Sequence, residues 1–196
     1  MIEEETREQV EAAETSQATP IKVKKLGHVV YRVRDIQRST QFWTEILGFK
    51  VSDINEKGMV FLRHGSDHHT VALAEAPRGA EMPGEGTLMV EHFAMELGSL
   101  DDLFRAREFF KSKGVPIYFE GRRGPGCNPG VEFYDPDGYL IELYADMEQI
   151  GWNGKSRPSE LWQPSQVARG RRRQSRPGGL ALTPCPSPKL GRGGWG

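Results

Sequence analysis

Cysteine is scarce in this 196-residue chain, which holds only Cys127 and Cys185. Two cysteines so far apart make neither a zinc-binding spacing nor a disulfide framework. Long apolar runs are missing too. With no candidate signal peptide or membrane span, a soluble, cytoplasmic protein is the expectation. Net charge is almost nil, at −1, which gives no reason to expect nucleic acid or an acidic membrane as a partner. The balance hides two unlike ends. Residues 1–20 carry Glu3, Glu4, Glu5, Glu8, Glu11 and Glu14 against Arg7 alone, and they show no strong apolar stripe. Residues 1–21 are therefore read as a mobile acidic leader. Residues 151–196 are basic and rich in Gly and Pro, a composition that cannot supply a core, and are read as a disordered tail. Its basic run, Arg169 to Arg173, is read as solvated rather than as a nucleic-acid contact.

What remains, residues 22–150, is long enough for one domain, and it contains a repeat. The first half reads GHVVYRVRDIQRSTQFWTEILGFKV and the second EHFAMELGSLDDLFRAREFFKSKGVPI. Each opens with a His-led strand, passes into a helix, and leaves it through Gly into another strand. Asp35 and Ser99 are the expected helix N-caps, with Asp102 completing a short capping box. Phe42, Trp43, Ile46 and Leu47 follow the helical period in the first helix, as do Leu103, Ala106 and Phe110 in the second. Gly48 and Gly114 suit the helix ends. Strand-like pieces follow near 49–54, 58–63 and 69–75, then near 115–120, 130–134 and 139–145. Each half thus reads βαβββ, in modules of about 22–76 and 88–150 joined by a Gly- and Pro-rich link. The fold class is α+β.

Alternation assigns faces to the strands. Val29, Tyr31 and Val33 share one face, with His28, Val30 and Arg32 on the other. Phe93, Met95 and Leu97 oppose His92, Ala94 and Glu96. In the last strand Ile141 and Leu143 oppose Glu142. One face of each strand is apolar, and the other carries a potential ligand. A buried unpaired carboxylate is costly, so Glu142 needs either a wet face or a partner. If the modules pair about a pseudo-two-fold axis, His28, His92 and Glu142 line one cavity. Two imidazoles and a carboxylate are the facial set that holds non-haem Fe(II) and leaves positions open. From the residues alone, hydrogen-bonded core histidines remain the alternative.

With these residues in place, the segments GHVVYRVRD, EHFAMELGS, RGPGCNPG and YDPDGYLIELYADM resemble, in order, the vicinal oxygen chelate superfamily. The last two, with DHHTVALAEAP, resemble its type I extradiol ring-cleavage dioxygenases. The resemblance implies paired βαβββ modules around a metal-binding cavity holding Fe(II) or sometimes Mn(II). His28, His92 and Glu142 fall on the ligand positions. It implies a small catecholic diol and O2 as substrates, with ring opening beside the diol, and a homodimer or larger homo-oligomer. His69 matches a family His that assists proton transfer, while His64 is read as surface.

Two positions depart from the family pattern. Arg123 stands where a His is common in an HGPG-like loop, and Glu132 where a Tyr is common. Both are substrate-binding candidates. Either they compensate each other in charge, or Arg123 receives an anionic group of the substrate. Two other functions compete. One is a different metal enzyme on the same fold, such as an isomerase, epimerase, glyoxalase-like lyase or thiol transferase. The other is a metal-free ligand-binding module of the antibiotic-sequestering kind.

Overall fold

A computed structural model describes residues 20–21, 23–84, 86–150, 156–162 and 164–169. The two halves follow one plan. The first runs β1 (Val29–Val33), α1 (Ile36–Gln41) continued by a π turn (Phe42–Ile46), β2 (Lys50–Ile54), β3 (Val60–Arg63) and β4 (Val71–Glu75). The second runs β5 (Phe93–Glu96), α2 (Leu100–Ser112), β6 (Ile117–Arg122), β7 (Pro129–Tyr134) and β8 (Leu140–Tyr144). The expected βαβββ pattern is present twice. The acidic leader read over 1–21 lies almost wholly outside the described residues.

Local chemistry sets the helix limits. The Asp35 side chain accepts from the Arg38 N–H, and Ser99 accepts from the Asp102 N–H, each satisfying a donor that the helix itself leaves open. Gly48 and Gly114 both take the left-handed conformation that closes a helix, at φ 73° and 68°.

Each half forms a mixed sheet. The orders are β1-β4-β3-β2 and β5-β8-β7-β6, the second extended by β9 (Ser165–Arg169). β1 runs parallel to β4 and β5 parallel to β8, while the remaining neighbours are antiparallel. The register sets Ala94 opposite Glu142, and Glu132 opposite Glu142 on the other side. The apolar faces predicted for β1 and β8 are buried: Tyr31, Val33, Ile141 and Leu143 join Trp43, Leu62, Leu73, Phe110 and Phe133 in one core. The halves therefore share a core. Phe42 meets Phe133 across them at 6.3 Å, and Tyr31 meets Tyr139 at 4.5 Å between ring centres. The opposite face of β1 stays open, with Val30 48% exposed.

A polar latch joins the halves through the turn Asp135–Tyr139. Trp43 Nε1 donates to the Tyr31 hydroxyl (2.6 Å), which donates to Asp135 Oδ2 (3.1 Å). Asp135 Oδ1 accepts the N–H groups of Asp137, Gly138 and Tyr139. Asp137 is also buried, and it accepts from the Arg34 N–H and the Arg38 guanidinium of the first half (3.0 and 2.7 Å). Gly138 sits at φ 99°, where a side chain would be strained.

The tail differs from its reading as disordered in one described stretch. Ser165–Arg169 pairs antiparallel with β6. The reason is backbone accounting: without it, β6 would end the sheet with unpaired N–H and C=O groups. Gly121 permits the approach, because a Cβ there would collide with the Ser165 carbonyl. The basic run beyond Arg169 lies outside the described residues.

Burial raises the Asp135 pKa to about 6, with the nearby Asp137 charge adding to the rise and the turn's N–H groups opposing it. The folded state thus holds this proton more tightly than the unfolded chain, whose ordinary value is 3.8. The corresponding stability is present below pH 4 and is lost as pH rises through 6. It amounts to roughly 3 kcal/mol at about 1.4 kcal/mol per pH unit. Urea midpoints measured from pH 4 to 7 should show this fall in the wild type relative to Asp135→Asn. Parallel curves for the two proteins would contradict it.

Candidate metal centre

The ligand-bearing faces present two pairs of side chains. On β8, Glu142 is 6% exposed, and its Oε2 lies 3.3 Å from Nε2 of His92, the residue preceding β5. This closeness follows from the parallel pairing of β5 with β8, which puts the start of one strand beside the middle of the other. Before β1, His28 packs its ring against His69, just ahead of β4, at 4.6 Å between centres. The parallel β1–β4 pair creates this second contact in the same way. His64 is exposed, as expected.

Among the described residues, no group of three or more His, Cys, Asp or Glu side chains is gathered closely enough to hold a metal. Within one chain, then, His92 and Glu142 come together, His28 and His69 come together, and the three expected ligands do not form one cluster. The chemistry of the first pair suits a divalent cation. It combines a neutral-capable imidazole and a carboxylate sunk where only a charge or strong donors can hold it ionised.

The electrostatics around Glu142 are crowded. Burial pushes its pKa up and the His92 imidazole pulls it down. The Glu132 charge raises it further, while Arg123 and the Asn128 amide lower it. Like charges directly opposite on neighbouring strands repel. Glu132 is 2% exposed, and it is compensated by Arg123, whose Nε donates to Oε1 at 2.9 Å and whose Nη2 pairs with the same oxygen. The guanidinium also stacks over the Phe119 ring at 3.9 Å. Of the two roles open to Arg123, the geometry thus realises the pairing. Burial, then the neighbouring His28 and His68, hold the His69 pKa below the ordinary imidazole value.

Sequence reading missed Asn128 and Gly130. Asn128 Nδ2 donates to Glu142 Oε1 at 3.1 Å. A Cβ on Gly130 would stand 2.6 Å from that oxygen. The only signal was their place in RGPGCNPG, where the turn glycines drew attention away from them.

Comparison with known proteins agrees with the fold. The family model described as the Glyoxalase/Bleomycin resistance protein/Dioxygenase superfamily matches residues 25–143. The chain is 31% identical over 133 residues to biphenyl-2,3-diol 1,2-dioxygenase 2 of Rhodococcus globerulus, covering 66% of this chain and 64% of that protein. It is 27% identical over 130 residues to the manganese-dependent 2,3-dihydroxybiphenyl 1,2-dioxygenase of Geobacillus genomosp. 3, covering 65% and 38%. The chain thus spans less than two thirds of the length of either relative. A crystal structure of a glyoxalase/dioxygenase from Nostoc punctiforme aligns at TM-score 0.53 and 26% identity, over 68% of this chain and 99% of that one. The βαβββ repeat, the strand orders and these matches together make the chain a member of the glyoxalase/bleomycin resistance/dioxygenase superfamily, with the vicinal oxygen chelate fold.

Proposed function

We propose that this protein is a metal-dependent extradiol-type dioxygenase, opening a catecholic ring beside its diol with O2. The observation that carries this reading is the buried Glu142 carboxylate set against His92, on a chain whose relatives include such dioxygenases. His28, His92 and Glu142 would hold Fe(II) or Mn(II). The bound metal supplies Lewis acidity and open positions where a diol and O2 can be held together. His69 then does the proton work. With a depressed pKa it is neutral at pH 7 and is suited to take a proton from a substrate hydroxyl. Arg123 and Glu132 line the site as a charge-compensated pair.

In this reading the protein acts as a homodimer or larger homo-oligomer. His28 and His92 are both exposed on faces that a second copy can cover, and His28 stands apart from the Glu142 pair within one chain. A second reading, a non-oxidative lyase or isomerase, draws on Glu132, a second buried carboxylate in register with Glu142.

Protein purified without oxygen should carry Fe(II) or Mn(II) and consume O2 with substituted catechols. His69→Ala should keep the metal and lose about 10²- to 10⁴-fold in turnover. Full metal loading with no oxygen uptake across a broad catechol panel would reject ring cleavage, and isomerase or lyase turnover without oxygen would favour the second reading. Mixing His28→Ala with Glu142→Ala chains should restore part of the metal binding that each lacks alone. A mixture as inert as its components contradicts a site shared between copies.

The ion pair has its own test. Arg123→Met strands a buried carboxylate and should cost about 2 to 3 kcal/mol, below the range for fully buried pairs because Arg123 is 49% exposed. The double variant Arg123→Met/Glu132→Gln should recover most of that loss in urea melts. A double variant no more stable than the single one sinks charge compensation.

A further inference from the structure

The loop from Arg123 to Gly130 does more than connect β6 to β7. We propose that Asn128 and Gly130 are positioning residues for Glu142. They fold its side chain back along β7, engage Oε1, and leave Oε2 beside His92 as the single oxygen offered to a divalent cation. This deepens the proposed function and rests on Glu142 being a metal ligand.

Three observations carry the proposal. First, Gly130 faces Tyr144 in the β7–β8 ladder, two pairs away from Glu132 and Glu142 and so on the same face. The Glu142 carboxylate leans over it, so a Cβ at Gly130 would lie 2.6 Å from Oε1 and 3.5 Å from Cδ. Gly130 is not among the residues with positive φ, so its missing side chain supplies room rather than backbone freedom. Second, Asn128 is 4% exposed, and its amide donates to Oε1 at 3.1 Å. An ionised carboxylate has no proton to give, so the amide must turn its nitrogen toward it.

Third, the loop is built to aim Asn128. Cys127 takes the left-handed conformation at φ 51°, uncommon for a residue with a side chain. Its N–H bonds the Gly124 carbonyl, and its own carbonyl accepts from Arg122 Nη1 at 2.7 Å. Gly126, at φ 73°, leaves its Cβ side to Asn128 Oδ1 and Met147, each 3.3 Å from where that Cβ would stand. The turn therefore delivers a buried amide to one carboxylate oxygen, while β5 delivers an imidazole to the other. A carboxylate pinned in this way acts as a one-oxygen ligand and leaves more of the metal's positions to substrate.

The test uses the full chain, with Mn(II) alone as probe and free Mn(II) followed by electron paramagnetic resonance. Melting of the metal-free proteins monitors folding. Glu142→Ala should abolish binding. Gly130→Ala and Asn128→Ala should each weaken Mn(II) affinity about 10- to 100-fold, the usual scale for groups that orient metal ligands. Asn128→Leu fills the same space without donating and should lose as much as Asn128→Ala; Leu restoring wild-type affinity would reduce Asn128 to packing and overturn its role. If Glu142→Ala loses the metal while Asn128→Ala and Gly130→Ala bind as wild type, the positioning proposal falls alone. If Glu142→Ala or the wild type shows that Glu142 binds no metal, the ligand reading falls, and this proposal with it. Should Gly130→Ala fail to fold, the two Asn128 variants decide.

Discussion

The structure turns on a buried carboxylate, Asp135, that is not part of the candidate metal centre. Asp135 gathers three backbone N–H groups of its own turn on one oxygen and receives the Tyr31 hydroxyl on the other. Without it those donors would be left unpaired, at a cost of about 1 to 3 kcal/mol each where water cannot reach them. The same turn launches β8. Its shape therefore fixes where Leu140 begins the strand and, two residues on, where Glu142 stands. Through Tyr31 and Trp43 the latch also ties β8 to the first half's helix. Asp137 adds Arg34 and Arg38. A site on β8 is thus held by the other half of the molecule.

Charge accounting governs the next layer. Two glutamates, both nearly sealed from water, face each other across β7 and β8. Neither is tolerable alone. Glu132 is answered by Arg123, which keeps its outer side in solvent and so gives up less hydration than a fully buried cation would. Glu142 has a neutral amide on one oxygen and an imidazole beside the other, with Arg123 acting on it through space. Of the two, Glu132 alone carries a direct ion pair to a guanidinium among the described residues, and that asymmetry leaves Glu142 the one with room for an added positive charge. Glu132 Oε2 itself is buried without a hydrogen-bond partner among those residues.

Much of this was legible in the sequence, because period and capping are local properties. Asp35, Ser99, Gly48 and Gly114 fix the helix limits through bonds within a few residues. Alternation placed Val33 and Ile141 inward and Val30 outward, as found. The closeness of Arg123 and Glu132 was one of two roles left open for them; the register sets Glu132 opposite Phe119, and Arg123 reaches it across that ring. What local pattern does not contain is depth and distance between sheets. Nothing in GHVV or EHFA says how far His28 stands from Glu142 once the halves share their apolar side. Ser165–Arg169 was missed for a related reason: its strand exists because β6 offers an edge, not because the segment has an apolar face of its own.

Arg123 and Glu132 stand where the resembling family commonly has a His and a Tyr, and the exchange puts an ion pair there. A guanidinium presents only N–H donors and no acceptor. Under the proposed function the proton work falls to His69, whose pKa burial and the neighbouring His28 and His68 hold below the ordinary value. The ion pair supplies a fixed field instead, a negative oxygen behind Glu142 and a positive edge toward solvent. Under the proposed function such a wall sorts substrates by charge. The pair also reaches Glu142 itself, since the Glu132 charge raises its pKa and Arg123 lowers it, so the exchange bears on the proposed ligand as well as on the rim.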